Sequence, residues 1–193
     1  MSEQSFTTAN TAMLLIDHQV GTMGWVNSTS FDTMKKNGLA LAKAAKALNI
    51  PLVLTSSMEQ AAQGPLLEEL ETIAPEEFAA RIKRQGVVNA LDDENFAAAV
   101  KATGRRKLII AGVTNDVCTV FPTLTALREG YEVQVVADAG GSPTKESDDI
   151  AIRRMDKAGA TITSTNQLLA ELARDWTGPE GTAIMPIVGE LLS

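Results

Sequence analysis

The run Lys107-Leu-Ile-Ile-Ala-Gly-Val113 indicates the fold class, because it is continuously apolar and ends at a short polar loop and Cys118. Continuous rather than alternating apolar runs are typical of strands covered on both faces of a parallel sheet. The residues from Thr119 to Leu127 follow as a predicted helix, in which Pro122 is tolerable because it falls in the first turn. A buried strand that leads straight into a helix begins a βαβ unit.

The rest of the chain repeats this alternation of strands and helices. Four more apolar runs of strand type occupy residues 12–16, 51–55, 133–137 and 160–163. Helical character appears at residues 33–48, 94–103, 121–129 and 146–158, and three of these stretches end at a glycine placed as a C-cap. The order predicts an α/β fold, a single domain over residues 1–193 with three α/β/α layers and a mainly parallel sheet. Residues 176–193 are predicted to be a C-terminal tail, either packed on a neighbouring subunit or mobile.

Composition and charge exclude several classes of protein. The 193 residues are 45% hydrophobic and 21% charged, which fits one folded domain with its own core. The net charge of −7 has the wrong sign for binding nucleic acid or an anionic membrane surface, so neither is expected as a partner. The expected ligand is a small-molecule substrate.

Several absences in the sequence predict the compartment and the cofactors. Residues 1–10 contain no basic residue and no apolar run of signal-peptide type, and no stretch reaches transmembrane length. One cysteine cannot form an internal disulfide, in agreement with a reducing, cytoplasmic location. With a single histidine, His18, and no Cys or His cluster, neither a metal nor another cofactor is expected.

Cys118 is a candidate nucleophile because ligands of parallel α/β sheets bind beyond the carboxyl ends of the strands. At a helix N-terminus the backbone N–H groups and the helix dipole favour a thiolate, which predicts a pKa for Cys118 below the usual value of about 8.5. The same N–H groups can hold an oxyanion. The alternative is a small, buried structural cysteine.

Three carboxylates lie near the predicted strand ends, and each has a structural interpretation. Asp17 is a candidate general base toward the thiol, and then an acid toward a leaving nitrogen; a turn residue or a helix cap is the alternative. Asp138 is predicted to hydrogen-bond the neighbouring loop. Asp116 is predicted to cap the helix that follows Cys118.

A small substrate pocket is also predicted near these strand ends. Gln19, Trp25 and Phe121 are the candidates to line it, together with Phe31. Core packing is the alternative interpretation of the aromatic residues.

Four ordered motifs resemble the isochorismatase-like cysteine hydrolase family, which includes nicotinamidases and N-carbamoylsarcosine amidases. The specific parts are Leu15-Ile-Asp-His-Gln19 for an Asp-x-Gln strand end and Ile110-Ala-Gly-Val-Thr-Asn-Asp-Val-Cys118 for the nucleophile loop. Weaker parts are Asn89-Ala-Leu91 and Val136-Ala-Asp-Ala139. Gly64-Pro-Leu66 and Arg84-Gln-Gly86 resemble the YcaC-like subgroup more narrowly.

The resemblance implies a catalytic triad of Asp17, Arg84 and Cys118, with Arg84 at the position where the family has a lysine. Arg84 is preferred to the adjacent Lys83 because the YcaC-like subgroup is similar in using arginine there; a solvated charged loop is the alternative for both. An arginine stays protonated, so its role would be to stabilise charge rather than to carry a proton.

The resemblance implies further features of the site and of the assembly. A cis peptide is expected between Val113 and Thr114, with the N–H groups of Thr114 and Cys118 forming an oxyanion hole. Asn115 departs from the family's frequent threonine, which leaves the hydrogen bonding there open. The stretch between Thr55 and Arg81 contains no histidine, so the nicotinamidase metal site has no counterpart. A homo-oligomer is expected, with an octamer by analogy with the YcaC-like subgroup.

These patterns favour a cysteine-dependent hydrolase that acts on a small amide, imide or related C–N substrate through a thioester intermediate. One alternative is an isochorismatase-type vinyl ether hydrolase, although family members of that kind typically lack the cysteine. The other alternative is a non-catalytic α/β binding module, in which Asp17 and Cys118 have only structural roles.

Overall fold

The structure is a computed structural model that describes residues 5–193, and within them the chain forms one parallel sheet. The strands are β1 (Thr11–Ile16), β2 (Leu52–Ser57), β3 (Ile82–Arg84), β4 (Lys107–Gly112), β5 (Glu132–Val136) and β6 (Thr161–Thr163). They lie in the order β3-β2-β1-β4-β5-β6, and each neighbouring pair is parallel. In the central register, Leu14 of β1 aligns with Val53 of β2 and Ile110 of β4. The predicted α/β class and parallel sheet are confirmed.

Helices connect the strands and cover both faces of the sheet. They are α1 (Val20–Gly24), α2 (Phe31–Ala47), α3 (Glu69–Ile73), α4 (Pro75–Ala79), α5 (Glu94–Ala102), α6 (Val120–Arg128), α7 (Lys145–Ala158), α8 (Thr165–Ala173) and α9 (Pro179–Leu192). Side-chain caps begin several of them; at α7 the Thr144 hydroxyl accepts from Ser147 N–H in a capping box. Gly159, one of the predicted C-cap glycines, ends α7 at a φ of +106°.

The core consists of two apolar clusters, one on each face of the sheet. Met13 and Leu15 of β1 belong to a cluster with residues of α2, α8 and α9, whereas Leu14 and Ile16 belong to a cluster with residues of α5, α6 and α7. This alternation follows from the period of two along a strand. Burying one such side chain stabilises the fold by about 1.5–3 kcal/mol. The predicted three layers are therefore present.

Strand β3 is an element that the sequence did not predict. It has only three residues, and it pairs with β2 at the edge of the sheet so that Arg84 aligns with Ser57. Its polar composition suggested a charged loop, but a short, charged strand is common at a sheet edge because it discourages pairing with other chains.

The C-terminal segment differs from the predicted tail. Helix α9 packs on α2 and α8 of its own chain and buries Gly181, Ile184 and Ile187, which are spaced three residues apart on one face. Pro179 begins the helix in its first turn, where a proline is well tolerated. Glycine and proline concealed this period in the sequence. A contact of the segment's outer face with another subunit stays a prediction.

Two expectations about the N-terminus and membranes are only partly covered by the structure. The expectation that residues 1–10 carry no export signal falls in part on residues 1–4, which lie outside the described residues. In the described part of the chain, no helix has both the length and the apolar character that a membrane span requires.

Candidate active site

A cavity of about 290 Å³ opens where the strand order reverses, between the carboxyl ends of β1 and β4. In open α/β sheets this switch point is where ligands bind, because the connections leave the two central strands toward opposite sides. Asp17, Arg84, Thr114 and Cys118 all line the cavity. The structure therefore brings the predicted catalytic and oxyanion-hole residues together.

Asp17 follows β1 in a left-handed backbone conformation, with a φ of +58°. Its N–H donates to the carbonyl of Thr55 in β2 at 3.0 Å, and only 1% of the residue is exposed. Both carboxylate oxygens accept from Nη2 of Arg84. Burial raises the pKa of Asp17, while the charge and hydrogen bond of Arg84 and a hydrogen bond from Cys118 act in the opposite direction.

Arg84 reaches Asp17 from the end of β3 and is itself buried. Its Nε donates to Oγ1 of Thr55 at 3.1 Å, and its Nη1 donates to the carbonyl of Val87. The neighbouring Lys83 points the other way, with its Nζ 3.5 Å from a carboxylate oxygen of Glu59 and its side chain more than half exposed. Since successive strand residues face opposite sides, only one of the two basic residues can reach Asp17, and it is Arg84.

Cys118 lies in a wide turn of π-helical geometry, Asn115–Thr119, that leads into α6. The Asp17 carboxylate and the N–H of Thr114 both act on its thiol: the first raises the pKa of the thiol and the second lowers it. The peptide between Val113 and Thr114 is cis, as the family resemblance implied. The thiol therefore has a base on one side and a backbone donor on the other.

The predicted lowering of the Cys118 pKa is wrong. Burial is the largest effect and raises the pKa of the thiol, and the adjacent Asp17 carboxylate raises it further. Thr114 N–H and Arg84 lower it by less. Position at a helix start was visible in the sequence, but depth of burial was not. The Asp17–Cys118 pair consequently retains one proton, and Asp17 takes this proton fully only when the thiol reacts.

A buried polar network that the sequence did not reveal holds the start of the nucleophile turn. Nδ2 of Asn115 donates to the carbonyl of Ala137 and to Oδ1 of Asp148, both at 3.0 Å. The Ser142 hydroxyl donates to the same Asp148 oxygen at 2.8 Å. Asp148 belongs to the first turn of α7, where an acidic residue is ordinary, so its pattern gave no signal.

The two other carboxylates have different outcomes. Oδ1 of Asp138 accepts from the N–H of Thr165 at 2.7 Å and from its hydroxyl at 2.8 Å, which is the structural role predicted for it. Asp116 makes no cap at the start of α6, because it lies within the π-helical turn rather than before the helix. The predicted cap is therefore wrong.

Only one of the predicted pocket residues lines the cavity. Trp25 does so, with 46% of the residue exposed. Gln19 does not, because its side chain joins β1 to β2: Nε2 donates to the carbonyl of Ser57 at 2.8 Å, and Oε1 accepts from Ser57 N–H at 2.8 Å. Phe121 packs in the core cluster of α5, α6 and α7, 5.6 Å below the guanidinium of Arg154. Phe31 begins α2 and is not among the residues that line the cavity.

Apolar side chains that the sequence did not single out form much of the cavity wall: Met58, Val87, Val88 and Val117. They lie in loops and in the π-helical turn, where no period marks a buried face. Among residues 5–193, no group of three or more His, Cys, Asp or Glu side chains is placed to hold a metal ion.

The parallel α/β sheet and the Asp17, Arg84 and Cys118 cluster at its switch point agree with the class of hydrolase that the sequence motifs resemble. The isochorismatase domain model matches residues 11–167, and the chain belongs to the isochorismatase family. Its similarity to YcaC proteins covers nearly the whole chain. "Probable hydrolase YcaC" from Escherichia coli is 43% identical over 175 residues, which cover 90% of this chain and 83% of that protein.

Two solved structures of YcaC proteins superpose closely on this chain. YcaC from Pseudomonas aeruginosa, described with hexane-2,5-diol and covalent acrylamide, has a TM-score of 0.92 and 42% identity, covering 100% of this chain and 94% of that one. The YcaC gene product from Escherichia coli, described as an octameric hydrolase of unknown specificity, has a TM-score of 0.93 and 38% identity, covering 100% and 93%. The chain is an isochorismatase-family hydrolase of YcaC-like type.

Proposed function

We propose that this protein is a cysteine-dependent hydrolase that cleaves the C–N bond of a small amide, imide or related substrate. The observation that carries the proposal is that one cavity holds the Cys118 thiol and the buried Asp17 carboxylate that acts on it, with Arg84 paired to that carboxylate. A nucleophile, a base and a group that orients the base are the parts that covalent acyl transfer requires. The cavity volume, about 290 Å³, fits a small substrate.

In the first half of the reaction, Asp17 takes the thiol proton as Sγ of Cys118 forms a bond to the substrate carbonyl carbon. The carbonyl oxygen becomes an oxyanion, which the N–H groups of Thr114 and Cys118 stabilise. The C–N bond then breaks, and Asp17 returns the proton to the leaving nitrogen, so that ammonia or an amine departs and a thioester remains.

In the second half, Asp17 deprotonates a water molecule that attacks the thioester carbon. The C–S bond breaks, the carboxylic acid product leaves, and the sulfur of Cys118 regains the proton from Asp17. Arg84 transfers no proton, because a guanidinium stays protonated; it stabilises the Asp17 carboxylate each time that charge returns.

The description of a relative supports the presence of a reactive nucleophile. The Pseudomonas aeruginosa YcaC structure is described with covalent acrylamide. Acrylamide is an electrophile that adds to thiolates, the reactive form of a cysteine. In this chain Cys118 and the Asp17 carboxylate, which line one cavity, provide such a nucleophile.

The charges around the cavity favour a C–N substrate over the vinyl ether alternative. Isochorismate carries two carboxylates, and an anion of that kind requires unpaired cationic groups in its site. Arg84 is the one cation among the described residues that line the cavity, and it is already paired with Asp17. A binding module would not need a base coupled to a thiol in the same cavity, so the non-catalytic alternative is also less favoured.

We further propose that the protein acts in the cytoplasm as a homo-oligomer, with an octamer as the expected assembly. The description of Escherichia coli YcaC as an octameric hydrolase supports the assembly. A reducing compartment suits the mechanism because it keeps the catalytic thiol free.

The pH dependence of Cys118 alkylation by iodoacetamide, followed by mass spectrometry, tests the mechanism. Cys118 is the single cysteine of the sequence, so every added carbamidomethyl group reports on it. We expect the rate to rise as the Asp17–Cys118 pair loses its first proton and then to stay level through neutral pH. An ordinary thiol instead reacts about tenfold faster with each pH unit below its pKa.

Two variants separate the roles within the cluster. Asp17→Asn removes the base, and we expect the level region to be replaced by a steady rise with pH. Arg84→Ala removes the group that lowers the Asp17 pKa, and we expect the acid limb to move to higher pH. A wild-type profile that matches N-acetylcysteine at every pH would overturn the proposed mechanism.

A further inference from the structure

Asp116 contributes a carboxylate to the same cavity that the proposed mechanism does not use. It lies two residues before Cys118 in the π-helical turn and lines the cavity. Its Oδ1 is buried and has no hydrogen-bond partner among the described residues. Because a buried acceptor without a partner costs free energy, this oxygen is free to accept a hydrogen bond from a ligand in the cavity.

The charges around the cavity leave Asp116 uncompensated. Of the described residues that line the cavity, three are charged: Asp17, Arg84 and Asp116. Arg84 contacts both oxygens of Asp17, so these two charges offset one another. The cavity therefore carries an excess of negative charge, and that excess lies on Asp116.

The surrounding wall strengthens the effect of this charge. Trp25, Met58, Val88 and Val117 are apolar residues that line the same cavity. Apolar walls lower the local dielectric constant, so a carboxylate there attracts a cation and repels an anion more strongly than it would in water. The apolar side chains also offer contact area for the uncharged body of a small ligand.

We propose that Asp116 is a specificity-determining residue that binds a cationic or N–H-bearing end of the substrate. This inference rests on the proposed function and narrows its substrate class. The substrates are small amides with an apolar body that carry an amine, ammonium or similar N–H group beyond the scissile bond. Amides that carry a carboxylate are rejected.

A matched series of thiol-reactive acrylamides tests this inference without a known substrate. The reagents are N-(3-aminopropyl)acrylamide, N-(3-hydroxypropyl)acrylamide and N-(3-carboxypropyl)acrylamide, which are cationic, neutral and anionic. The rate of Cys118 alkylation at pH 6 is divided, for each reagent, by the rate with N-acetylcysteine. This division removes differences in intrinsic reactivity.

In the wild type we expect the normalised alkylation rate of the cationic reagent to be about tenfold above that of the neutral reagent. The rate of the anionic reagent should be about tenfold below it, as expected for one charge in a partly desolvated site. In Asp116→Asn, both ratios should shrink to within about twofold. Glu129→Gln is the control, since it removes the same charge from an exposed position at the far end of α6 and should keep the wild-type ratios. Each ratio is taken within one protein, so a partial loss of stability does not imitate the effect.

The outcomes distinguish this inference from the proposed function beneath it. Fast alkylation with equal ratios for the three reagents, or a preference that survives in Asp116→Asn, would overturn the role of Asp116 and leave the mechanism intact. Alkylation by all three reagents at no more than the rate of N-acetylcysteine would overturn both.

Discussion

Asp17 and His18 are consecutive buried residues that follow β1. They lie in two regions that supply different partners to a buried titratable group. Asp17 belongs to the cavity, whereas His18 belongs to what we call the His18 pocket, formed by His18, Gly38 of α2 and Ala139. Each of the two consecutive residues is only 1% exposed. Burial raises the pKa of Asp17 and lowers that of His18 to about 4, so in both regions it disfavours the charged form.

What differs is the partner that each region supplies. Arg84 gives Asp17 a full opposite charge, while His18 has only the carbonyl of Ala139, 2.8 Å from its Nε2. Since a carbonyl only accepts, the neutral His18 ring donates from Nε2. A built-in counter-charge, more than burial, therefore decides which of the two groups is available for proton transfer.

Removing the counter-charge of Asp17 should cause the largest loss of stability. Arg84→Ala leaves Asp17 buried without its cation, and we expect a loss of about 3–5 kcal/mol in the free energy of unfolding. Urea denaturation at pH 7 measures it. Lys83→Ala is the matched control, because Lys83 is exposed and should change stability by less than about 0.5 kcal/mol. Equal losses in the two variants would remove the distinction between the regions.

The His18 pocket, which supplies no counter-charge, should make the folded state less stable as the pH falls. Below a pH of about 6.5 the unfolded chain protonates His18, but the folded chain does so only near a pKa of about 4. The unfolded state therefore binds more protons between these values, and stability should fall by about 3 kcal/mol as the pH decreases from 7 toward 4.

His18→Asn isolates this contribution. Asp17 acts with the opposite sign, because its raised pKa favours the folded state as the pH falls, but it is present in both proteins. The difference between the two stability curves, measured by urea denaturation across this pH range, therefore belongs to His18. Parallel curves would show that His18 is not buried in its neutral form.

An intermediate effect is expected in the network behind the nucleophile turn. Asp148→Ala removes the acceptor for Asn115 and Ser142, and we expect a loss of about 1.5–3 kcal/mol in the free energy of unfolding. Asp149→Ala is the neighbouring control: that carboxylate forms an exposed pair with Lys145 and should change stability by less than about 0.5 kcal/mol. A similar loss of stability in both variants would contradict the role of Asp148 as a buried hydrogen-bond acceptor.

The smallest effect concerns the packing of the His18 pocket. A Cβ at Gly38 would lie 2.8 Å from Cδ2 of His18, and we expect Gly38→Ala to lower stability by about 1 kcal/mol, since overpacking outweighs the gain in helix propensity. Gly189→Ala in α9 meets nothing within 4 Å and should instead raise stability by up to about 1 kcal/mol. Thermal unfolding of the two variants compares them. A gain in both would mean that the His18 ring moves away freely.

The sheet could be predicted from the sequence because buried central strands have continuous apolar sequences. It did not predict β3, since three residues at a sheet edge carry too little pattern, and without β3 the preference for Arg84 over Lys83 rested on the family resemblance alone. The positions of Asp17 and Cys118 followed from the strand ends. The raised pKa of the thiol did not, because it depends on burial and on a contact between residues far apart in sequence.

The position of α9 has a consequence for how the chain folds during its synthesis. Ile184 and Ile187, near the C-terminus, complete an apolar cluster whose other members include Met13 of β1 and Leu41 of α2. This cluster is therefore incomplete while the ribosome makes the intervening residues, and the surfaces of α2 and α8 that α9 covers stay exposed until α9 has emerged. Until then the nascent chain exposes an apolar surface of the kind that chaperones recognise.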